Sequence, residues 1–384
     1  MLLRSTEVHQ FRNLSGKVQW GDGLNILHGE NGQGKTNWLE AIYLTATGKS
    51  FRTSRLPETI RFGESLAVIR GVVEQGVDTS RELQVTLQAN SKVLSVNGKR
   101  ETIHRYLGQL DVIAITADEL EIIRGQPEAR RRFLDRGVAS LHPAYVKTLM
   151  DFARVLKQKS RLLQDAAEAG TPLADVKNQL APWNPQLVEL GAEIDRLRRD
   201  FVDRLAAVLQ HRFFGREEVA MRYVSSLEQH GDLTDYPGLF AQRLELRLPA
   251  ELAAGRALIG PQRDDLEILF DGHDLRAFGS SGQQRSALIT LDLAALSVYN
   301  SWHHEYPLFL YDDVDAELDR GRIFSLLEYL EGRTQTFVTT SKQSVVEQFV
   351  GRAVSHRIEA GASAAAEQDL GPSEDAVEGV MGGD

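Results

Sequence analysis

The chain has 384 residues, 42% of them hydrophobic and 26% charged, with a formal net charge of −10 and no cysteine. This is the composition of a globular chain that can hold two or more domains, or one large domain with an insertion. It excludes a disulfide framework and a thiolate metal site, and a reducing cytoplasm is the simplest setting. No run of about 18 apolar residues points to a membrane span, and the stretch from Met1 to Glu7 lacks the apolar core of a signal peptide. The charge is uneven. Residues 359–384 hold seven acids and no Lys or Arg, and taking them away leaves −3, so a local basic face for nucleic acid is compatible with the rest.

Leu2 to Phe11 reads as a strand, followed by a turn over Asn13 to Gly16. The apolar run Leu24 to Leu27 predicts a buried strand, and Leu39, Ile42 and Tyr43 have helical spacing. Between them stands Gly29-Glu30-Asn31-Gly32-Gln33-Gly34-Lys35-Thr36, followed by Asn37. Strand, glycine-rich turn and helix are the context of a phosphate-binding loop. Successive N–H groups curl around phosphate oxygens, and the helix adds its positive end. Lys35 is expected to reach the β- and γ-phosphates, and the Thr36 hydroxyl to ligate Mg²⁺.

A polar loop, Thr47 to Thr53, comes next. Residues 65–98 then read as short strands broken at Gly76, Asn90-Ser91 and Asn97-Gly98, an antiparallel patch with hairpin turns. A further strand spans Asp111 to Thr116. Helical patterns dominate from about 126 to 212. One is opened by Pro143 and stopped near Gly170 and Pro172, and another runs from Gln186 to Arg212. They predict an antiparallel helical arm inserted into an α/β domain. The pattern is compatible with helices that merely stack on each other and with a projecting surface for a partner or DNA. Past Gly215, the alternation of Arg243 to Leu248 and the run Leu266 to Phe270 suggest strands. The tail from about 359, rich in Ala, Gly and acids, is expected to be disordered.

Leu308 to Tyr311 is an apolar strand that ends in Asp312-Asp313. Beside a phosphate loop, Asp312 is expected to hold Mg²⁺ and Asp313 to orient or deprotonate the attacking water. Upstream, Ser280-Ser281-Gly282-Gln283 opens a helix whose small residues and N-terminus suit a phosphate, or simply a serine cap.

The order of phosphate loop, long insert, serine-glycine helix start and acidic strand resembles the ABC-type ATPase head shared with SMC proteins. Within it the chain resembles the RecF family of bacterial recombination-repair proteins. The stretches that carry the likeness are Gly29 to Asn37 with Leu39 to Ile42, Ser50-Phe51-Arg52, Arg130 to Asp135, Gly260 to Asp265, Gly282 to Arg285, and Asp312 to Val314 with Glu317 to Asp319. The resemblance implies an ABC-type P-loop ATPase head with an antiparallel β patch and an inserted helical arm. On that basis the chain divides into an N-terminal ATPase part (1–125), a helical insert (126–235), a C-terminal ATPase part with signature and acidic strand (236–358) and an acidic tail (359–384). It further implies ATP and Mg²⁺ as cofactors, Gly29 to Asn37 and Ser280 to Gln283 as the ATP contacts, and a head-to-head homodimer in which the signature of one copy meets the γ-phosphate held by the other. Implied partners are double- and single-stranded DNA at gaps, RecR and RecO, and RecA indirectly. The implied setting is cytoplasmic and nucleoid-associated, and the implied turnover a weak DNA-stimulated ATPase. An ATPase subunit of another ABC-type complex is the alternative reading.

The sequence departs from the family pattern at Thr116-Ala117-Asp118-Glu119-Leu120, where Ser-Pro-Glu-Asp-Leu is usual, and at Asp315-Ala316. Thr340 stands where most ABC proteins have a histidine, as in the RecF family, and Asp313 where transporters carry Glu. Lys35 and Asp313 are the expected catalytic residues. For DNA phosphates, Arg124, Arg130, Arg131 and Arg132 are candidates at the base of the arm, with Lys157, Lys159 and Arg161 along it. The same charges also fit a solvated helix face or ion pairs within the chain.

Overall fold

A computed structural model describes residues 1–76, 79–210, 218–317 and 320–364. The chain begins with a hairpin of β1 (Leu2–Phe11) and β2 (Leu14–Gln19) and enters a second sheet at β3 (Leu24–His28). The helix Lys35–Thr47 follows. Then β4 (Leu66–Glu74), β5 (Ser80–Gln88), β6 (Ser91–Val96) and β7 (Lys99–Glu101) complete an antiparallel sheet of order β2-β1-β4-β5-β6-β7. β8 (Val112–Ile115) returns to the second sheet. After the helices Pro127–Leu141, Tyr145–Ala169, Leu173–Leu180 and Asn184–Leu209 come β9 (Val219–Val224), the helix Tyr236–Ala254, β10 (Asp265–Phe270) and β11 (His273–Asp274). The helix Ser281–His303 leads into β12 (Leu308–Tyr311), the helix Arg320–Leu330, β13 (Thr336–Thr340), the helix Gln343–Gln348, β14 (Ala353–Glu359) and β15 (Ala362–Ala364). The second sheet has the order β15-β14-β3-β13-β12-β8 and is parallel except for β15.

The helix Lys35–Thr47 is buried from Trp38 to Ala46 because it lies between the two sheets. One core joins Leu3, Phe11 and Ile69 of the antiparallel sheet to Trp38, Ile42 and Leu44 of the helix and to Leu310, Phe337 and Ile358 of the parallel sheet. Parallel strands covered on both faces need near-continuous apolar runs, as β3 and β12 have. Glu40 is fully buried in this layer. A buried carboxylate must be paired, and Glu40 takes two bonds from the Arg12 guanidinium (2.9 and 3.0 Å) and one from the Ser50 hydroxyl (2.5 Å), with Arg52 at 3.7 Å. The Ser50-Phe51-Arg52 motif thus has a local structural job.

The insert is a packed lobe. Leu187, Ile194, Phe201 and Leu205 of the helix Asn184–Leu209 share one core with Phe133 and Leu134, with Leu288 and Leu296, and with β9 and β10. The helix is described to Leu209, and its expected end at Arg212 lies outside the described residues. Arg243 to Leu248 is not a strand. It sits inside the helix Tyr236–Ala254, where Leu244 and Leu248 are buried one turn apart and Leu246 is exposed. Alternating leucines satisfy both periods, and packing on the neighbouring helices decided the outcome. The tail also begins later than expected. Residues 353–359 and 362–364 are strands of the parallel sheet; 365–384 lie outside the described residues. Among the described residues no helix is long and apolar enough to cross a membrane.

Lys159 faces inward. It and Glu251 are both fully buried, 2.7 Å apart but off-line for a hydrogen bond, while the other Glu251 oxygen accepts from the Leu258 amide at 2.9 Å. Burial pushes the Lys159 pKa down and Glu251 pulls it back up. Replacing one partner of such a pair leaves a buried charge uncompensated, typically at a cost of about 3–5 kcal/mol. Lys159→Met is therefore expected to lower the denaturant midpoint severely, and Lys159→Met with Glu251→Leu to recover most of it. A single variant as stable as wild type would show that water reaches the pair.

Candidate functional site

The carboxyl ends of β3, β13 and β12 lie side by side, since Thr340 pairs with His28 and Tyr311 with Val338. In a parallel sheet this edge is where ligands bind. β3 runs into the phosphate loop here. Gly29 has φ 141°, and a Cβ on it would stand 2.6 Å from the Ile358 carbonyl oxygen. Gly34, at φ 112°, is the N-cap of the helix Lys35–Thr47 and supplies no side chain, leaving the first helical amides to an outside acceptor. Lys35 folds back over the loop and donates to the carbonyls of Gly29 (2.7 Å) and Glu30 (2.8 Å). Its pKa is lowered by burial, with Asp313, Asp315 and Asp312 opposing the shift.

The loop is braced from outside. The Gln33 carbonyl accepts from the Gly361 amide (2.8 Å) and Asn13 Nδ2 (3.3 Å), and the Gln33 side chain accepts from the Ala360 amide (2.7 Å). Trp38 donates to the Gly361 carbonyl at 3.2 Å, and Asn37 donates to Asn13 at 2.7 Å. The β14–β15 turn, which reads in sequence as the start of a structureless tail, holds the phosphate loop in shape.

At the end of β12, one oxygen of Asp312 accepts from the hydroxyls of Thr36 (2.8 Å) and Thr339 (2.7 Å). Mg²⁺ is commonly bound through one or two protein oxygens plus substrate phosphates and water. Thr36 and Asp312 fit that pattern, whereas no group of three or more His, Cys, Asp or Glu side chains is poised for a metal among the described residues. Asp313 adopts the left-handed conformation, φ 56°, uncommon outside glycine. Its amide donates to the Thr339 hydroxyl at 2.7 Å. Partial desolvation and the like charges of Asp315 and Asp312 raise the pKa of its exposed carboxyl, against Lys35 and Lys342. Asp315 is buried, accepts from Ser341 at 3.2 Å and lies beside Lys342, which donates to its carbonyl at 3.0 Å. Thr340 is buried, and its hydroxyl accepts from the Lys342 amide at 3.0 Å. Thr339, Ser341 and Lys342 escaped the sequence reading, although the run of hydroxyl residues ending β13 was a visible signal.

Ser280 caps the helix Ser281–His303 in a capping box. The Gln283 amide donates to its hydroxyl (3.3 Å), and its own amide donates to the Gln283 side chain (2.8 Å). Ser280, Ser281 and Gly282 are exposed, and among the described residues no hydrogen bond joins them to the phosphate loop. The chain brings Gly29 to Asn37 together with Asp312 and Asp313, and keeps Ser280 to Gln283 apart.

The basic cluster divides. Arg130 is buried, bidentate to Asp265 (2.6 and 2.9 Å) and bonded to the Gly125 carbonyl (3.0 Å). It is withdrawn from any nucleic-acid surface, as is Lys159. Arg131, half-buried, donates to the Asp264 carbonyl at 2.8 Å. Arg132 is exposed beside Glu128 (3.1 Å), and exposed Arg124 donates to Gln284 at 2.6 Å, one turn into the helix Ser281–His303. Lys157 and Arg161 are exposed on the arm. Three consecutive arginines on a helix do not reveal which one turns inward; the packing of β10 against that helix, with Asp265 facing Arg130, does.

The family described as "RecF/RecN/SMC N terminal domain" matches residues 2–361. The DNA replication and repair protein RecF of Pelotomaculum thermopropionicum is 38% identical over 351 residues, spanning 89% of this chain and 94% of its own. That of Halothermothrix orenii is 36% identical over 345 residues, spanning 86% and 90%. The solved structure of a recombination mediator protein RecF with ATP, in the RecFOR pathway, is 29% identical and superposes with a TM-score of 0.85 over 94% of this chain and 96% of that one.

Proposed function

Because this chain belongs to the RecF family, within the RecF/RecN/SMC N-terminal domain group, we propose that it is an ATP-controlled DNA-binding switch of recombinational repair. The observation that carries this reading is the division of the nucleotide site. Lys35, Thr36, Asp312 and Asp313 form one half, and the capped, solvent-facing start of the helix Ser281–His303 forms a second half that the same chain does not deliver to the first. Two copies related by a two-fold axis complete both sites at once.

In this reading Lys35 exchanges the carbonyls of Gly29 and Glu30 for the β- and γ-phosphates of ATP, and the open amides of the helix Lys35–Thr47 take further phosphate oxygens. Thr36 and Asp312 would hold Mg²⁺, which would supply positive charge against the phosphates. Asp313 accepts a proton from water as the water oxygen bonds to the γ-phosphorus and the bond to the β-phosphate oxygen breaks. Slow hydrolysis then lets the copies part. The closed dimer holds DNA where single and double strands meet and, with RecO and RecR, promotes RecA loading; its setting is the nucleoid.

Retention of a gapped duplex in a gel shift with ATP and Mg²⁺, and weaker retention with ADP, is the expected result; no retention with any nucleotide would sink the reading. Of the four clustered arginines, Arg124 and Arg132 remain available to DNA phosphates. Arg124→Ala is expected to reduce the slope of log affinity against log salt by about 1, the signature of one lost phosphate contact. An unchanged slope would remove it from the interface.

A further inference from the structure

Of the described residues, the two most exposed large apolar side chains are Phe62, at 103%, and Phe278, at 77%. Each stands beside one half of the divided nucleotide site. Phe278 ends a short helix and lies two residues before the cap Ser280. Phe62 lies at a cleft of about 980 Å³ that is also lined by Arg12, Asn13, Arg61 and Ala360. Asn13 and Ala360 both hydrogen-bond Gln33 of the phosphate loop, so the cleft begins where that loop ends. The turn carrying Phe62 is fixed. The Arg61 amide donates to the Gln10 carbonyl (2.8 Å), and its guanidinium donates to the carbonyls of Arg12 (3.2 Å) and Leu14 (2.6 Å). Phe62 is therefore held out into solvent by a pinned backbone.

We infer that Phe278 of one copy seats in the cleft of the second copy, against Phe62 and the guanidinium faces of Arg12 and Arg61. The inference rests on the two-copy reading above and names the apolar anchor of that interface. Reach decides it. If Ser280 to Gln283 meet the partner's phosphate loop, Phe278 lies no more than about 7 Å of chain from Ser280. In the partner, the cleft adjoins the phosphate loop through Asn13 and Ala360, both of which line it and hydrogen-bond Gln33. An aromatic ring beside another ring and two guanidinium groups gains area burial, edge contact and cation–π attraction together. A symmetric dimer makes this contact twice, so deleting the ring weakens the assembly doubly.

The chain contains no cysteine, so cross-links can be placed without background. Glu64→Cys and Ala277→Cys chains, exposed neighbours that keep both rings, are made separately, mixed and treated with a short bis-maleimide. A cross-linked pair is expected with ATP and Mg²⁺ and not with ADP. In sedimentation with ATP, Phe278→Ala is expected to raise the dimer dissociation constant at least about 100-fold, the equivalent of two such buried rings, while Phe278→Tyr, which keeps the ring, dimerises as wild type does. If wild type dimerises but Phe278→Ala does so equally well, or the mixed chains give no cross-link, the anchor is wrong and the two-copy reading stands. If wild type stays monomeric with ATP, both fall.

Discussion

Lys35→Met is expected to weaken ATP binding at least about 100-fold, as measured by titration with a fluorescent ATP analogue in Mg²⁺. The side chain is already desolvated and held at the loop by two carbonyl oxygens, at 2.7 and 2.8 Å, with three carboxylates acting on it. Its ammonium is therefore positioned before the nucleotide arrives, and little entropy is lost on binding. Each charge-assisted hydrogen bond to phosphate contributes roughly 1.5–3 kcal/mol, so two lost bonds exceed the 2.7 kcal/mol that corresponds to about 100-fold. The fold should persist, because Gln33, Asn13, Ala360 and Gly361 brace the loop independently of Lys35. A dissociation constant within about threefold of wild type would show that the phosphates sit elsewhere.

Asp313→Asn is expected to slow hydrolysis by about 10²- to 10⁴-fold, the usual contribution of a general base, while ATP binding and dimer formation persist. Asparagine is a clean probe because it tolerates the left-handed backbone that Asp313 adopts. The raised pKa of Asp313 has two consequences of defined sign. In the nucleotide-free protein the base form is lost as pH falls through this raised value, so kcat/KM should decline on the acid side sooner than for an ordinary aspartate. The folded state also binds this proton more readily than the unfolded chain does. Ionised Asp313 therefore costs stability above its folded pKa, and that cost is absent below the ordinary aspartate range. Asp313→Asn should raise the melting temperature of the nucleotide-free protein slightly at neutral pH, with the gain vanishing in acid; the side chain is exposed, so solvent screening keeps the gain small. A variant that hydrolyses ATP at the wild-type rate would remove Asp313 from the chemistry.

These two residues were legible because their signals are local. The spacing from Gly29 to Thr36 needs only a strand before it and a helix after it, and both patterns are written in adjacent residues. Leu308 to Tyr311 is apolar throughout because β12 is covered on both faces, and a strand of that kind ends at the sheet edge where Asp312 and Asp313 stand. The hairpins of the antiparallel sheet were readable from their turns for the same reason.

The supports of the site were not readable this way. Gln33 is joined to Ala360 across 327 positions, and Asp312 to Thr339 across 27. Nothing in Ala360-Gly361 marks it as a brace; its surroundings in sequence look like a solvated tail. Arg130 and Arg132 share one helix and one composition, yet Asp265 draws the first inward while the second stays in water. Lys159 met the same fate through Glu251. Chain-local preferences determined that a phosphate loop, a signature helix and an acidic strand exist. Only the tertiary structure decided which of these share an edge, because partner choice across hundreds of residues depends on sheet order and packing. That order sets Lys35 beside Asp312 and Asp313 and leaves Ser280 facing outward, away from them.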